Sequence, residues 1–311
     1  MAFLFISRWD NATAWREALL AEIPDLDFRI WPDGAGAPEE IEGVLVWQPE
    51  PGLLMRFPRL KAIFSLGAGV DHLLLKGGPL PKGVPIVKLV DRSLTLDMTH
   101  YVLHWVLHFH RDFPGYAQAQ GEARWRRRRY PAAAERRIGI LGAGTLGGES
   151  ARALAGLGFD VACWSRTPKA IDRVVSFHGR DGLDSFLARS DILVCLLPLT
   201  PDTGGILSRR TFDRLPEGAY LINAGRGGHL VEADLLAALA ANRIAGAALD
   251  VFRDEPLPRD HPFWSHPRVA VTPHIASDST PATAAREIAD NIRRLRSGRP
   301  LLHMVDPALH Y

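Results

Sequence analysis

The stretch "RIGILGAGTLGGESARALAGLGFDVACWS", residues 137–165, constrains this chain more than any other. An apolar run leads into Gly142-Ala143-Gly144-Thr145-Leu146-Gly147. An amphipathic segment follows, and a second apolar run begins near Asp160. That order reads as strand, tight turn, helix, parallel strand. Gly142 permits the turn, Gly144 lets backbone approach a pyrophosphate, and Gly147 lets the helix pack close to the sheet. The helix start would then present unpaired N–H groups and a partial positive charge to phosphate. A dinucleotide site is the reading this context favours over a glycine-rich turn without ligand.

The end of the second run selects between dinucleotides. An acidic residue there would accept hydrogen bonds from ribose hydroxyls. Residues 161–170 read "VACWSRTPKA" and contain none. Ser165, Arg166, Thr167 and Lys169 instead offer donors and positive charge suited to a 2′-phosphate. We therefore expect NADP(H) in preference to NAD(H). The alternative is an Arg166 that merely points to solvent.

Before this unit, "AFLFIS", "LDFRIW", "GVLVWQ", "LKAIFSLGAG" and "PIVKLV" read as strands, and "NATAWREALLAEI" as a helix. After it come "DILVCLLPL", "AYLINAG", "IAGAALDVF" and "VAVTPH", separated by amphipathic segments. Both series describe parallel α/β units. The last helical pattern, "TPATAAREIADNIRRLRSG", is expected to return to the first unit. A chain of 311 residues, 47% hydrophobic, supports two such cores.

Residues 93–113 predict one long, largely apolar helix, buried between domains or subunits. His100, His104 and His108 share a face on it, with His110 nearby. A packed or solvent-edge histidine row is favoured there over a metal site, because one helical face encloses an ion poorly. The four arginines 126–129 are read as a solvated connector, with contact to an anionic ligand as the alternative. A net charge of +2 gives no argument for nucleic acid. Cys163 and Cys195 lack metal-ligand spacing and read as buried reduced thiols. The start has no basic n-region of a signal peptide, and no window approaches the length of a membrane helix. The expectation is a cytoplasmic protein.

Three later segments, "LINAGRGGHL", "AALDVFRDEPLP" and "VTPHIAS", each end an apolar strand in residues suited to chemistry. In open α/β sheets ligands collect at the carboxyl ends of strands. Arg226 can bind a carboxylate or polarise a carbonyl, His274 can exchange a proton near neutral pH, and Glu255 can fix the imidazole. Each residue taken singly also has a plain structural reading. Their order behind a dinucleotide turn favours the functional one.

These motifs resemble the D-isomer-specific 2-hydroxyacid dehydrogenases over essentially the whole chain. The matches are "ILGAGTLG", "LINAGRGGHL", "ALDVFRDEPLP" and "TPHIAS". The segments "VLVWQP", "SLGAGVDH", "YVLHWVLHFHRD" and "CWSRTPK" look closest to the glyoxylate/hydroxypyruvate reductase A subgroup. The resemblance implies a Rossmann-type doubly wound parallel-sheet NAD(P)-binding domain, residues 97–286. It would be inserted in a flavodoxin-like α/β substrate domain, residues 1–96 plus 287–311, with the active site in the cleft.

The resemblance also implies roles. Arg226 would hold the substrate's carboxylate and carbonyl oxygen. His274 would be the general acid in reduction, paired with Glu255. Backbone amides of Ala68, Gly69 and Val70 would bind the carboxylate, Asp250 and the Leu197-Pro198 loop would lie near the nicotinamide, and Ala224 would also bind the cofactor. Trp47 would wall the substrate pocket, with core packing as the alternative. Thr145 departs from the family, where many members carry a more polar or basic residue. The implied reaction is NADPH-dependent reduction of small 2-keto acids, glyoxylate to glycolate or hydroxypyruvate to D-glycerate, in a homodimer. The alternatives are another member acting on phosphoglycerate or a bulkier keto acid, and a non-catalytic dinucleotide-sensing regulator.

Overall fold

A computed structural model of the chain describes residues 1–306 and 309. Residues 307, 308, 310 and 311, the end of the expected 287–311 segment, lie outside the described residues. The chain divides into two compact units. One is Met1–Leu94 together with the chain from Asp278 onward, and the other is Thr95–Ser277.

The first unit contains β1 (Ala2–Ile6), α1 (Ala12–Glu22), β2 (Asp27–Ile30), β3 (Ile41–Val46), β4 (Ala62–Ser65), α2 (Asp71–Leu74) and β5 (Ile86–Val87). The chain then enters α3 (Arg92–His110), α4 (Phe113–Gly121), β6 (Arg137–Leu141), α5 (Thr145–Gly156), β7 (Asp160–Ser165) and β8 (Val174–His178). It continues through α6 (Gly179–Ala188), β9 (Ile192–Cys195), α7 (Arg209–Arg214), β10 (Ala219–Asn223) and α8 (Glu232–Ala240). The last elements are β11 (Ile244–Leu249), β12 (Val269–Val271) and α9 (Pro281–Arg296).

The first sheet is parallel, in the order β2-β1-β3-β4-β5. That is the flavodoxin-like winding. Both of its faces are covered, which is why "AFLFI" is buried at every position rather than alternating. Phe3, Phe5 and Phe64 are among its fully buried side chains, as is Trp15 from α1. Helix α9 packs on α1, and Arg293 donates to the Glu22 carbonyl. The first unit also takes in residues 278–286, which the sequence reading put in the nucleotide domain. Thr283 there donates to Asp91 Oδ2 at 2.7 Å, and Ser93 bonds the same carboxylate.

The second sheet is parallel in the order β12-β11-β10-β9-β6-β7-β8. It is the doubly wound nucleotide-binding order with one added strand. Winding reverses between β6 and β9, so the turns leaving those two strands diverge there. Strand β8 has no counterpart in the sequence reading. It is an edge strand of mixed exposure, and its "VVSFH" offers no continuous apolar run.

The single long helix expected over 93–113 is two helices. Helix α3 stops at His110, and Asp112 sits at φ +55 in the left-handed region. Pro114 then occupies the first turn of α4, where its missing N–H costs nothing. Met98, Val102, Trp105, Val106 and Phe109 of α3 join a core with Ile138, Leu154 and Ile192 of the second unit. His104 and His108 are adjacent on α3, and the His108 ring stacks on Phe113 at 5.8 Å. Among the described residues no group of three or more His, Cys, Asp or Glu is arranged to hold a metal ion. Arginines 126–129 lie in an exposed irregular segment, with Arg128 paired to Asp112. Among the described residues no helix is long and apolar enough to cross a membrane.

Candidate active site

Each glycine of the turn after β6 answers a different steric demand. Gly142 has φ +101, and a Cβ there would lie 2.7 Å from the Leu196 carbonyl oxygen. A Cβ on Gly147 would lie 1.8 Å from the Gly142 oxygen, so α5 docks onto the turn only without one. At Gly144 nothing stands within 4 Å of an added Cβ, and the residue is exposed at the start of α5. Backbone thus lies open at a helix N-terminus, as a pyrophosphate requires. Ala143 is buried, Thr145 is exposed and Leu146 is half-buried. The geometry fits a dinucleotide.

The turn leaving β7 is exposed at Arg166, Thr167 and Lys169. Ser165 differs. It is 8% exposed, and its hydroxyl donates to the Thr167 carbonyl at 2.8 Å. Its proton shapes the turn, while Arg166, Thr167 and Lys169 form the outward surface.

The loop after β10 is built around Arg226. Asn223 Nδ2 donates to the Arg226 carbonyl, and the Gly225 N–H donates back to Asn223 Oδ1. The Arg226 N–H donates to His229 Nδ1 at 3.1 Å. His229 therefore carries its proton on Nε2, which donates to the Pro198 carbonyl at 3.2 Å. This buried neutral histidine ties the Arg226 loop to the Leu197-Pro198 loop after β9. Gly227 allows a further close approach, since a Cβ there would lie 1.8 Å from the Phe252 carbonyl carbon. The Arg226 guanidinium is half-buried and donates to the Gly225 carbonyl at 2.8 Å. Ala224, buried beneath the loop, belongs to the sheet core.

Glu255 and His274 meet. His274 Nδ1 lies 2.8 Å from Glu255 Oε2, and Glu255 Oε1 accepts from the Phe252 N–H at 2.9 Å. With Nδ1–H donated to the carboxylate, Nε2 is the ring nitrogen left for chemistry. Burial pushes the Glu255 carboxyl up. The hydrogen bond from His274, the Phe252 N–H and the charges of His274 and Arg226 outweigh it and hold the carboxyl below its usual range. Arg226 is thus near enough for its charge to act on Glu255. His274 itself has φ +56, a conformation costing a non-glycine residue about 1–3 kcal/mol. Asp250, 1% exposed, directs both carboxylate oxygens at protein donors in this turn.

In the first unit, Ala68, Gly69 and Val70 follow β4. Ser65 Oγ donates to the Gly69 carbonyl and lies 3.2 Å from His72 Nε2. Among the described residues, the N–H groups of Ala68, Gly69 and Val70 meet no protein acceptor. Three such amides in one turn suit an anion. Trp47 is half-buried beside them. Its ring centroid lies 4.4 Å from that of His72, and a Cβ on Gly67 would strike it at 2.7 Å.

Sequence reasoning did not single out Asn223, His229, Thr272, Tyr101 or His72. A histidine three residues after Arg226, inside a glycine-rich loop, was a local signal for His229. The other contacts depend on tertiary approach.

Comparison with known proteins agrees with this geometry. The model for the "D-isomer specific 2-hydroxyacid dehydrogenase, NAD binding domain" matches residues 103–276. The glyoxylate/hydroxypyruvate reductase A of Photorhabdus laumondii is 43% identical, with both chains covered in full. That of Serratia proteamaculans is 44% identical over the same span. A D-isomer specific 2-hydroxyacid dehydrogenase from Xanthobacter autotrophicus Py2, solved with NADPH and MES, superposes with a TM-score of 0.95. It is 46% identical and covers 100% of this chain and 99% of its own. An NADPH-dependent glyoxylate/hydroxypyruvate reductase from Sinorhizobium meliloti, solved with NADP and sulfate, gives 0.92 at 39% identity with both chains covered in full. The two parallel sheets, the glycine turn and these full-length matches together establish that the chain belongs to the D-isomer specific 2-hydroxyacid dehydrogenase family.

Proposed function

We propose that the protein is an NADPH-dependent reductase of small 2-keto acids, taking glyoxylate to glycolate and hydroxypyruvate to D-glycerate. The observation that carries this reading is the His274–Glu255 contact at 2.8 Å, in the unit that holds the glycine turn. The names of the full-length relatives support the substrate class, and the NADPH or NADP bound by the structural relatives supports the cofactor.

Bound NADPH supplies the hydride. Gly142, Ala143, Gly144, Thr145, Leu146 and Gly147 hold its pyrophosphate, and Arg166, Thr167 and Lys169 hold its 2′-phosphate. Ser165 keeps that loop in shape. The Leu197-Pro198 loop would lie near the nicotinamide, with Ala224 beneath it. Arg226 binds the substrate carboxylate and stabilises the negative charge that develops on the carbonyl oxygen. Protonated His274 gives its Nε2 proton to that oxygen, while Glu255 holds the ring through Nδ1. Within the first unit, the amides of Ala68, Gly69 and Val70 offer donors that suit a carboxylate, and Trp47 stands beside them.

We further propose a homodimer. Leu107, Phe113, Tyr116 and Trp125 are exposed apolar side chains close in sequence, and Trp125 is 99% exposed. Two buried, unpaired thiols suit the reducing cytoplasm. Burial raises both, Cys195 to about 12, which keeps them unreactive.

The test is to mix purified protein with NADPH or NADH and either keto acid, and follow loss of the reduced-nicotinamide absorbance. Saturable oxidation of NADPH, and much weaker oxidation of NADH, is expected. NADPH binding without turnover of any short keto acid would point to a dinucleotide-sensing regulator.

A further inference from the structure

The His274 turn is held from behind as well as by Glu255. The His274 N–H donates to the Asp250 carbonyl at 2.8 Å. The Asp250 side chain then accepts three more hydrogen bonds from the same turn. Oδ1 accepts from Thr272 Oγ1 at 2.6 Å and the Ile275 N–H at 2.9 Å, and Oδ2 from the Ala276 N–H at 2.9 Å. One residue thus grips both flanks of His274, whose own backbone is in the left-handed region.

The contact chain extends one residue further. Tyr101 of α3 places its hydroxyl 2.8 Å from Thr272 Oγ1, across 171 positions of sequence. The proton directions follow from valence. A carboxylate only accepts, so the Thr272 hydroxyl donates to Asp250. Thr272 Oγ1 is then free to accept, and the Tyr101 hydroxyl donates to it. Burial and the charge of Asp250 both oppose ionisation of Tyr101, outweighing its hydrogen bonds with Thr272 and Trp105. It therefore stays a donor across the working pH range.

We propose that Tyr101 and Thr272 are positioning residues for the proton transfer. The directed series Tyr101 to Thr272 to Asp250 fixes the carboxylate that clamps the His274 turn, and so aims Nε2 at the substrate oxygen. This rests on the reading of His274 as the general acid. Neither hydroxyl touches substrate or moves a proton in the reaction. Their effect is geometric, and a displacement of about 1 Å at a reacting group costs about 100-fold in rate.

The experiment uses the full-length enzyme with NADPH and glyoxylate. It compares T272V, T272S, Y101F, the double variant Y101F/T272V and H274Q. Turnover, KM and NADPH affinity by nicotinamide fluorescence are measured for each. T272V is expected to lower kcat about 10–100-fold while NADPH affinity stays within about twofold. T272S, which restores the hydroxyl, should regain most of the loss. Y101F should cost about 3–10-fold in kcat, and nothing further when T272V is already present, because Tyr101 acts through Thr272.

Wild-type kcat in either single variant would overturn the proposal, as would a Y101F loss that adds in full to T272V. So would a fall in NADPH affinity parallel to the fall in kcat, which a loosened nucleotide unit would produce. Should T272V not fold, Y101F decides by the same criteria, since it removes one hydroxyl and keeps the ring. H274Q separates the two readings. An inactive H274Q beside an unaffected Y101F refutes the positioning role alone, and an active H274Q refutes the general-acid reading beneath it.

Discussion

Two turns leave the carboxyl edge of the second sheet, and they are built on opposite rules. The turn after β7 carries Arg166, Thr167 and Lys169 on exposed surface, with the Ser165 hydroxyl donating to the Thr167 carbonyl. The turn after β12 carries His274 at φ +56, gripped by Glu255 in front and by Asp250 behind. The difference matches the two tasks. Selecting a 2′-phosphate needs charge and donors within reach, and a guanidinium supplies both from a range of positions. Delivering a proton needs one ring nitrogen within hydrogen-bond reach of one oxygen, so that turn is over-determined.

Substitutions can break the comparison at either end. Arg226→Ala, on the braced side, should cut kcat/KM by about 100–1,000-fold. NADPH affinity should stay near wild type, since the His229 and Asn223 contacts use the Arg226 backbone. Lost cofactor binding would show that Arg226 belongs to the nucleotide site. Arg166→Asp, on the open side, should raise the NADPH Kd by about 10–100-fold, the loss of a charge-assisted hydrogen bond and more. NADH affinity should change little. Equal losses with both cofactors would reduce the stretch to surface.

Glu255→Gln should lower kcat about tenfold. A kcat left at the wild-type value would defeat the pairing. The stability sign is separate. The Glu255 carboxyl is lower in the folded protein than in the unfolded chain. Its contribution is therefore present above about pH 4.5 and lost as pH falls through the depressed folded value. Melting curves of wild type and Glu255→Gln should converge as pH falls through that range. The smallest effect belongs to Ser165→Ala, less than about threefold on NADPH affinity, because its hydroxyl is committed to a neutral carbonyl.

The same contrast explains what could be read from the residues alone. The glycine turn was legible because sterics admit only glycine at φ +101 and at the Gly147 contact. Arg226, Glu255 and His274 were legible because each follows an apolar strand within a short turn, where an isolated charge has a job or a cost. The Ser165 hydroxyl was legible as a donor, but its direction into the Thr167 carbonyl was not. Strand β8 escaped because an exposed edge strand leaves no periodic mark. The break between α3 and α4 hinges on one backbone angle at Asp112. Tyr101 read as one more apolar helix residue, and only the fold brings it to Thr272.

The most direct measurement pairs binding with turnover on one preparation, in wild-type protein and in His274→Gln. NADPH affinity should be equal in the two, with glyoxylate-dependent NADPH oxidation in wild type and a loss of about 100-fold or more in the variant, as removal of a placed general acid requires. Turnover by His274→Gln at the wild-type rate would contradict the general-acid role of His274.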